Sequence, residues 1–162
     1  MESVAVHERW MREALVCAAL AECESEVPIG AVVVAGGVII GRGWNRPIAC
    51  HDPTHHAEIA AIRDAAATSA NYRLTDATLY VTLEPCIMCA GAILNARLLH
   101  VVFGARDPKH GAAGSVVNVL DSPFTTHRCH STAGVLADEC SALLTKFFVE
   151  KRTLEPAGKP RP

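Results

Sequence analysis

Two short stretches of this chain, His56-Ala57-Glu58 and Pro85-Cys86-Ile87-Met88-Cys89, hold residue types that bind metal ions and move protons. Imidazole nitrogen and cysteine thiolate are the usual donors to zinc. Proline suits the first position of a helix, where its missing N–H would be unpaired anyway. Pro85 therefore predicts a helix start, with Cys86 and Cys89 three residues apart on one side of the first turn. Free N–H groups and the helix dipole at that end favour thiolate over thiol. Two thiolates make half of a tetrahedral site, and His56 supplies a third ligand. The fourth position is left for water, which is the arrangement of a catalytic zinc; a structural zinc is closed by four protein ligands. Glu58, two residues from the histidine, is near enough to handle the proton of that water without binding the metal.

Such a centre suits hydrolytic attack on an amidine-like ring carbon. Zinc lowers the pKa of a bound water from about 15.7 towards ~7. Glu58 would take the water proton and pass it to a ring nitrogen and then to the departing amine. Two other readings stay open. A C-x-x-C pair could be a redox couple, which leaves His56 and Glu58 unexplained. His51 or His55 could close the metal site and make it structural. The x-E spacing selects His56 as the ligand over its neighbour His55, which then falls to the loop or the substrate lining. Cys17, Cys23, Cys50, Cys129 and Cys140 have no partner at ligand spacing and are expected as small core or half-buried residues. Asn45 is either a turn residue or one that faces a ligand.

The rest of the chain must position these groups. Its 162 residues, half hydrophobic and a fifth charged, fit one domain with a real core. We read residues 1–152 as that domain and 153–162, with three prolines and a glycine, as a disordered tail. No apolar run approaches the roughly 20 residues of a membrane span. Seven cysteines and a start without signal-peptide features predict a reducing cytoplasm and few disulfides. At a net charge of −2, any nucleic acid would have to be held by a local basic patch. Lys146, Lys151 and Arg152, with Glu150 among them, make only a modest one.

Helical periodicity runs from His7 to about Glu24. Ile29 to Ala35, a Gly36-Gly37 turn and a return strand that starts over Val38 to Ile40 form a hairpin. Gly41 to Pro47 reads as the start of a polar loop. A helix begins near His56, a strand covers Ala77 to Leu83, and the Pro85 helix runs to about Ala96. Leu98 to Phe103 and Cys129 to Thr132 read as short strands, with Val116 to Leu120 ambiguous. A last helix spans Leu136 to Arg152 and carries Phe147 and Phe148. Strands apolar on both faces and alternating with helices predict a three-layer α/β/α sandwich.

The pattern H-x-E…P-C-x-x-C is the zinc deaminase signature. With Val27-Pro28-Ile29-Gly30-Ala31, Gly43-Trp44-Asn45-Arg46-Pro47, His51-Asp52-Pro53-Thr54, Asn71-Tyr72-Arg73-Leu74, Thr82-Leu83-Glu84-Pro85, Gly104-Ala105-Arg106-Asp107, Gly111 to Ser115 and Ala137-Asp138-Glu139-Cys140, the chain resembles bacterial tRNA-specific adenosine deaminases. The resemblance covers Trp10 to Arg152. It implies a cytidine deaminase-like fold with a five-stranded mixed sheet, and conversion of the wobble adenosine of a tRNA anticodon to inosine. It also implies one zinc per subunit on His56, Cys86 and Cys89, with Glu58 as proton shuttle and no organic cofactor. Asn45 and Ala57 would meet the target base, and Asp107 and Lys109 the nucleotides beside it, in a homodimer. A free-base deaminase and a zinc-stabilised RNA-binding protein without turnover are the competing readings.

Overall fold

The computed structural model describes residues 3–154. Among them the elements run α1 (Val4–Cys23), β1 (Gly30–Ala35), β2 (Val38–Trp44), α2 (Pro47–Cys50), α3 (Ala57–Thr68), β3 (Ala77–Leu83), α4 (Ile87–Asn95), β4 (His100–Ala105), β5 (His130–Ala133) and α5 (Ala137–Leu154). One five-stranded sheet has the order β2-β1-β3-β4-β5. β1 is antiparallel to β2 and β3, while β3–β4 and β4–β5 are parallel, so the sheet is mixed as expected.

Side chains alternate across a strand, and here both faces are covered. Ala31, Val33, Leu79, Val81, Val101 and Phe103 pack with Ala57, Ala61 and Ala65 of α3 and with Ala90 and Ile93 of α4. Val32, Val34, Tyr80 and Val102 face the other way, onto Trp10, Met11, Ala14 and Cys17 of α1 and Cys140 of α5. The central strands β1, β3 and β4 are therefore apolar at most positions, and the three layers follow. Gly36 and Gly37 both have positive φ, 58° and 75°, and close the expected two-residue turn. No helix among the described residues is long and apolar enough to cross a membrane.

The sequence expectation differed in several places. β2, expected to start over Val38 to Ile40, runs on to Trp44. Gly41 and Gly43 were read as loop residues, yet they sit in the strand to let α3 approach. A Cβ on Gly43 would lie 2.3 Å from the Ala57 carbonyl oxygen. Gly30 does the same for α1, where a Cβ would lie 2.1 Å from the Ala14 oxygen. Pro47 to Cys50 forms a short helix inside the expected polar loop. Residues 116–120 form no strand, only an isolated bridge between Ala113 and Asn118. α5 continues over Thr153 and Leu154, which the tail was expected to include; the remainder of that tail lies outside the described residues. Cys17, Cys129 and Cys140 are buried, but Cys23 and Cys50 are exposed, and all seven cysteines are free.

The antiparallel and parallel pairings bring the ends of β2, β3 and β4 and the start of β1 to one edge of the sheet. α3 and α4 both start there. Glycine at the helix contacts sets that closeness, so Gly30→Ala should cost about 1–3 kcal/mol through overpacking. Denaturant unfolding checks this; an unchanged midpoint would contradict the close approach of α1 to β1.

Candidate active site

His56 and Cys86 are the N-caps of α3 and α4, both with extended backbone (ψ 157° and 174°). Pro85 is not the first helical residue, as the sequence had led us to expect. Its carbonyl accepts the Ala112 N–H at 2.8 Å, and the Glu84 N–H goes to the Ala105 oxygen at 2.8 Å. Those bonds tie the Glu84-Pro85 segment to the loop after β4 and delay the helix to Ile87. Cys86 and Cys89 still fall on one side, as N-cap and third helical residue.

His56 Nδ1 lies 3.6 Å from Cys86 Sγ and 3.5 Å from Cys89 Sγ. All three donor atoms lie within 4.8 Å of one another, the one such metal-capable group found among the described residues. Zinc–nitrogen and zinc–sulfur bonds of about 2.05 and 2.3 Å at a tetrahedral angle put nitrogen and sulfur about 3.6 Å apart. The observed separations match, so the donor set fits zinc. Neither His51 nor His55 joins the group. His51 is the exposed C-cap of α2, and His55 lines a separate hollow with Arg42, Trp44 and Arg46. No fourth protein ligand accompanies the triad among the described residues, and a closed structural site loses its support.

The electrostatics favour an ionised sulfur. A hydrogen bond with the Cys89 side chain holds Cys86 down at about 3; burial opposes this, and His56 reinforces it. The same contact with Cys86, together with burial, pushes the Cys89 thiol up. His56 is raised, first by its hydrogen bond with Cys86. Glu58, 4 % exposed in the first turn of α3, is pushed up to about 7 by burial, partly offset by hydrogen bonding to its own backbone N–H and by the His56 charge. A buried carboxyl poised near neutral pH is suited to carry a proton in either direction.

The triad opens on a cavity of about 490 Å³ with apolar walls from Ile29, Leu83 and Ile87 and polar groups from His56, Glu58, Glu84, Asp107 and His110. Of the residues expected around a substrate, Asp107 lines this cavity. Lys109 does not; it lines a neighbouring hollow of about 560 Å³ with Phe147, Phe148, Lys151 and Arg152. Asn45 and Ala57 are buried, 5 % and 0 % exposed, and are not among the lining residues. Asn45 follows β2 and donates its backbone N–H to the Ile29 oxygen at 3.0 Å. Phe147 is buried and Phe148 is 48 % exposed, stacked edge to face at 5.5 Å.

Sequence reasoning gave no role to Glu84 or His110. Glu84 is 2 % exposed and lies in the segment between β3 and the ligand Cys86. Burial alone would raise it, but hydrogen bonds from Ser115, Asp107 and Ala113 outweigh that and lower it. A glutamate beside Pro85-Cys86 was visible in the motif, but its partners were not.

Residues 4–105 match the family described as the cytidine and deoxycytidylate deaminase zinc-binding region, and the chain belongs to that family. Within it, the chain sides with the bacterial tRNA-specific adenosine deaminases. It is 52 % identical over 146 residues to the tRNA-specific adenosine deaminase of Haemophilus influenzae, covering 90 % of this chain and 84 % of that protein. To the one from Bacillus subtilis it is 44 % identical over 152 residues, 94 % of each chain. A solved structure from studies of A-to-I editing by tRNA:A34 deaminases at the wobble position of transfer RNA superposes with a TM-score of 0.81. That pair is 45 % identical over 84 % of this chain and 99 % of the other.

The buried carboxyl generates a pH prediction. In the folded protein Glu58 holds its proton up to about 7, whereas the unfolded chain releases it near the ordinary 4.5. The folded state then binds more protons between those values, so stability falls as pH rises through that window. In the zinc-stripped protein, Glu58→Gln should be the more stable form above pH 7, with the difference closing towards pH 4.5. Thermal melts across that range check it; a difference independent of pH would contradict the burial account.

Proposed function

We propose that this protein hydrolytically deaminates the wobble-position adenosine of a tRNA anticodon loop to inosine. The carrying observation is the His56–Cys86–Cys89 group with buried Glu58 on the wall of the same cavity. One zinc per subunit would be held by those three residues. When bound, it supplies a Lewis acid that makes a water nucleophilic at neutral pH.

The remaining steps belong to the chain. Glu58 accepts one proton of the attacking water and delivers it to a ring nitrogen. It then takes the second from the hydroxyl added to the ring carbon and passes it to the departing amine, which leaves as ammonia. Ile29, Leu83 and Ile87 exclude bulk water around the ring. Ala57, as the first residue of α3, has a backbone N–H without an intrahelical acceptor and can offer it to the base. Asn45 is assigned to the same base, and Asp107 to the nucleotide at the lip. The neighbouring hollow, with Lys109, Lys151 and Arg152 beside the exposed ring of Phe148, combines cations for phosphates with an aromatic ring for stacking. It supplies the local basic patch that the net charge of −2 demanded.

The target base must leave its loop to reach Glu58, which costs least in an unpaired anticodon. We assign a homodimer, in which two such modest patches serve one RNA surface, and a place in the cytoplasm with the tRNA. The test is inosine formation in an anticodon stem-loop with adenosine at the wobble position, run beside free adenosine, cytidine and guanine. Conversion of the RNA alone is expected. Turnover of a free base alone would keep the chemistry and reject the tRNA. Glu58→Ala should retain zinc and lose at least about 100-fold in turnover; near-normal turnover would remove Glu58 from the mechanism.

A further inference from the structure

The carboxylate of Glu84 takes its hydrogen bonds from the segment after β4. Its Oε2 accepts the Asp107 N–H at 3.1 Å and the Ser115 hydroxyl. Its Oε1 accepts the Ala113 N–H at 3.1 Å and the Ser115 N–H at 2.9 Å. Four donors from a nine-residue stretch thus converge on one buried carboxylate. The fit is tight: a Cβ on Gly111 would lie 2.5 Å from the Glu84 carboxyl carbon.

Asp107 continues the chain of contacts. Its Oδ1 accepts the N–H groups of Lys109 at 2.9 Å and His110 at 3.1 Å, and its Oδ2 lies 3.5 Å from His110 Nδ1. The metal turn leans on the same segment, since Pro85 accepts the Ala112 N–H at 2.8 Å and Cys86 bridges Gly111. It has a support of its own in the Ala90 N–H, which the Cys86 carbonyl accepts at 2.8 Å.

We infer that Glu84 is a positioning residue for substrate: it clamps residues 107–115 so that Asp107 and His110 are held at the cavity lip and Lys109 at the adjoining hollow, and it acts through them rather than through the metal. This rests on the proposed RNA reading for what the lip binds, but not for the clamp itself. A carboxylate is the group the position requires. Four donors need acceptor lone pairs on both oxygens, and an amide would turn an NH2 towards one pair of them.

The experiment compares the zinc-loaded parent with Glu84→Gln and Ser115→Ala. Zinc content, hydrogen exchange at residues 107–115 without RNA, and KM and kcat on the anticodon stem-loop are measured for each. Glu84→Gln should keep its zinc, speed exchange in the segment by about tenfold or more, and raise KM by a similar factor with kcat changed less than about threefold. Ser115→Ala removes a single donor and leaves the carboxylate with three, so it stays folded; about threefold effects on exchange and KM are expected. Unchanged exchange in both variants overturns the clamp. Faster exchange with unchanged KM overturns its role towards substrate, and loss of zinc from folded Glu84→Gln would assign Glu84 to the metal turn instead. Exchange is read without RNA, so failure of the RNA assignment leaves the clamp tested separately.

Discussion

His56 and Cys86 meet because two helices start at the same edge of one sheet, and everything chemical in this protein depends on that meeting. Each residue caps its helix with extended backbone, so each side chain projects ahead of the first turn. The 3.5 and 3.6 Å separations between the imidazole nitrogen and the two sulfurs are those a single tetrahedral zinc imposes. The N-terminus of α4 also carries partial positive charge, which favours the Cys86 thiolate before any metal arrives. A shift of either helix along the sheet by one turn, about 5.4 Å, would separate the donors beyond reach of one ion.

The sheet prevents that shift by close packing. Ala57, Ala61 and Ala65 give α3 a flat buried face, and Gly41 and Gly43 give β2 a matching one. The same α3 turn buries Glu58, so the packing that places the histidine also desolvates the carboxyl and raises its pKa to about 7. The residues that pack α3 on the sheet are thus the same ones that place the site.

How much of this could be read from the sequence follows from the range of each interaction. The three layers were legible because strands buried on both faces leave continuous apolar runs. The ligand set was legible because each half is local: three residues at one helix start, four at another. Glycine is ambiguous in the same reading, because it marks both turns and close backbone approach. Gly41 and Gly43 therefore read as the approach to the polar loop, although they lie in β2. Glu84 was invisible for a different reason. Its partners are mainly backbone amides 23 to 31 residues away, and an amide has no letter in the sequence.

The substrate reading rests on surfaces more than on the metal. A zinc triad with a buried carboxyl defines a deaminating centre, but it would serve a free base equally well. What would separate the two under the proposed reading is the lip built from Asp107 and His110 and the adjoining hollow with Lys109, Phe148, Lys151 and Arg152, which offer surface beyond one ring. The central claim is that the metal is held by three protein ligands and keeps a position for chemistry. Zinc K-edge absorption spectroscopy of the purified protein tests it most directly. Two sulfurs, one imidazole nitrogen and one light oxygen scatterer without imidazole character are predicted; a second imidazole or a third sulfur in the first shell would make the site structural and contradict the account.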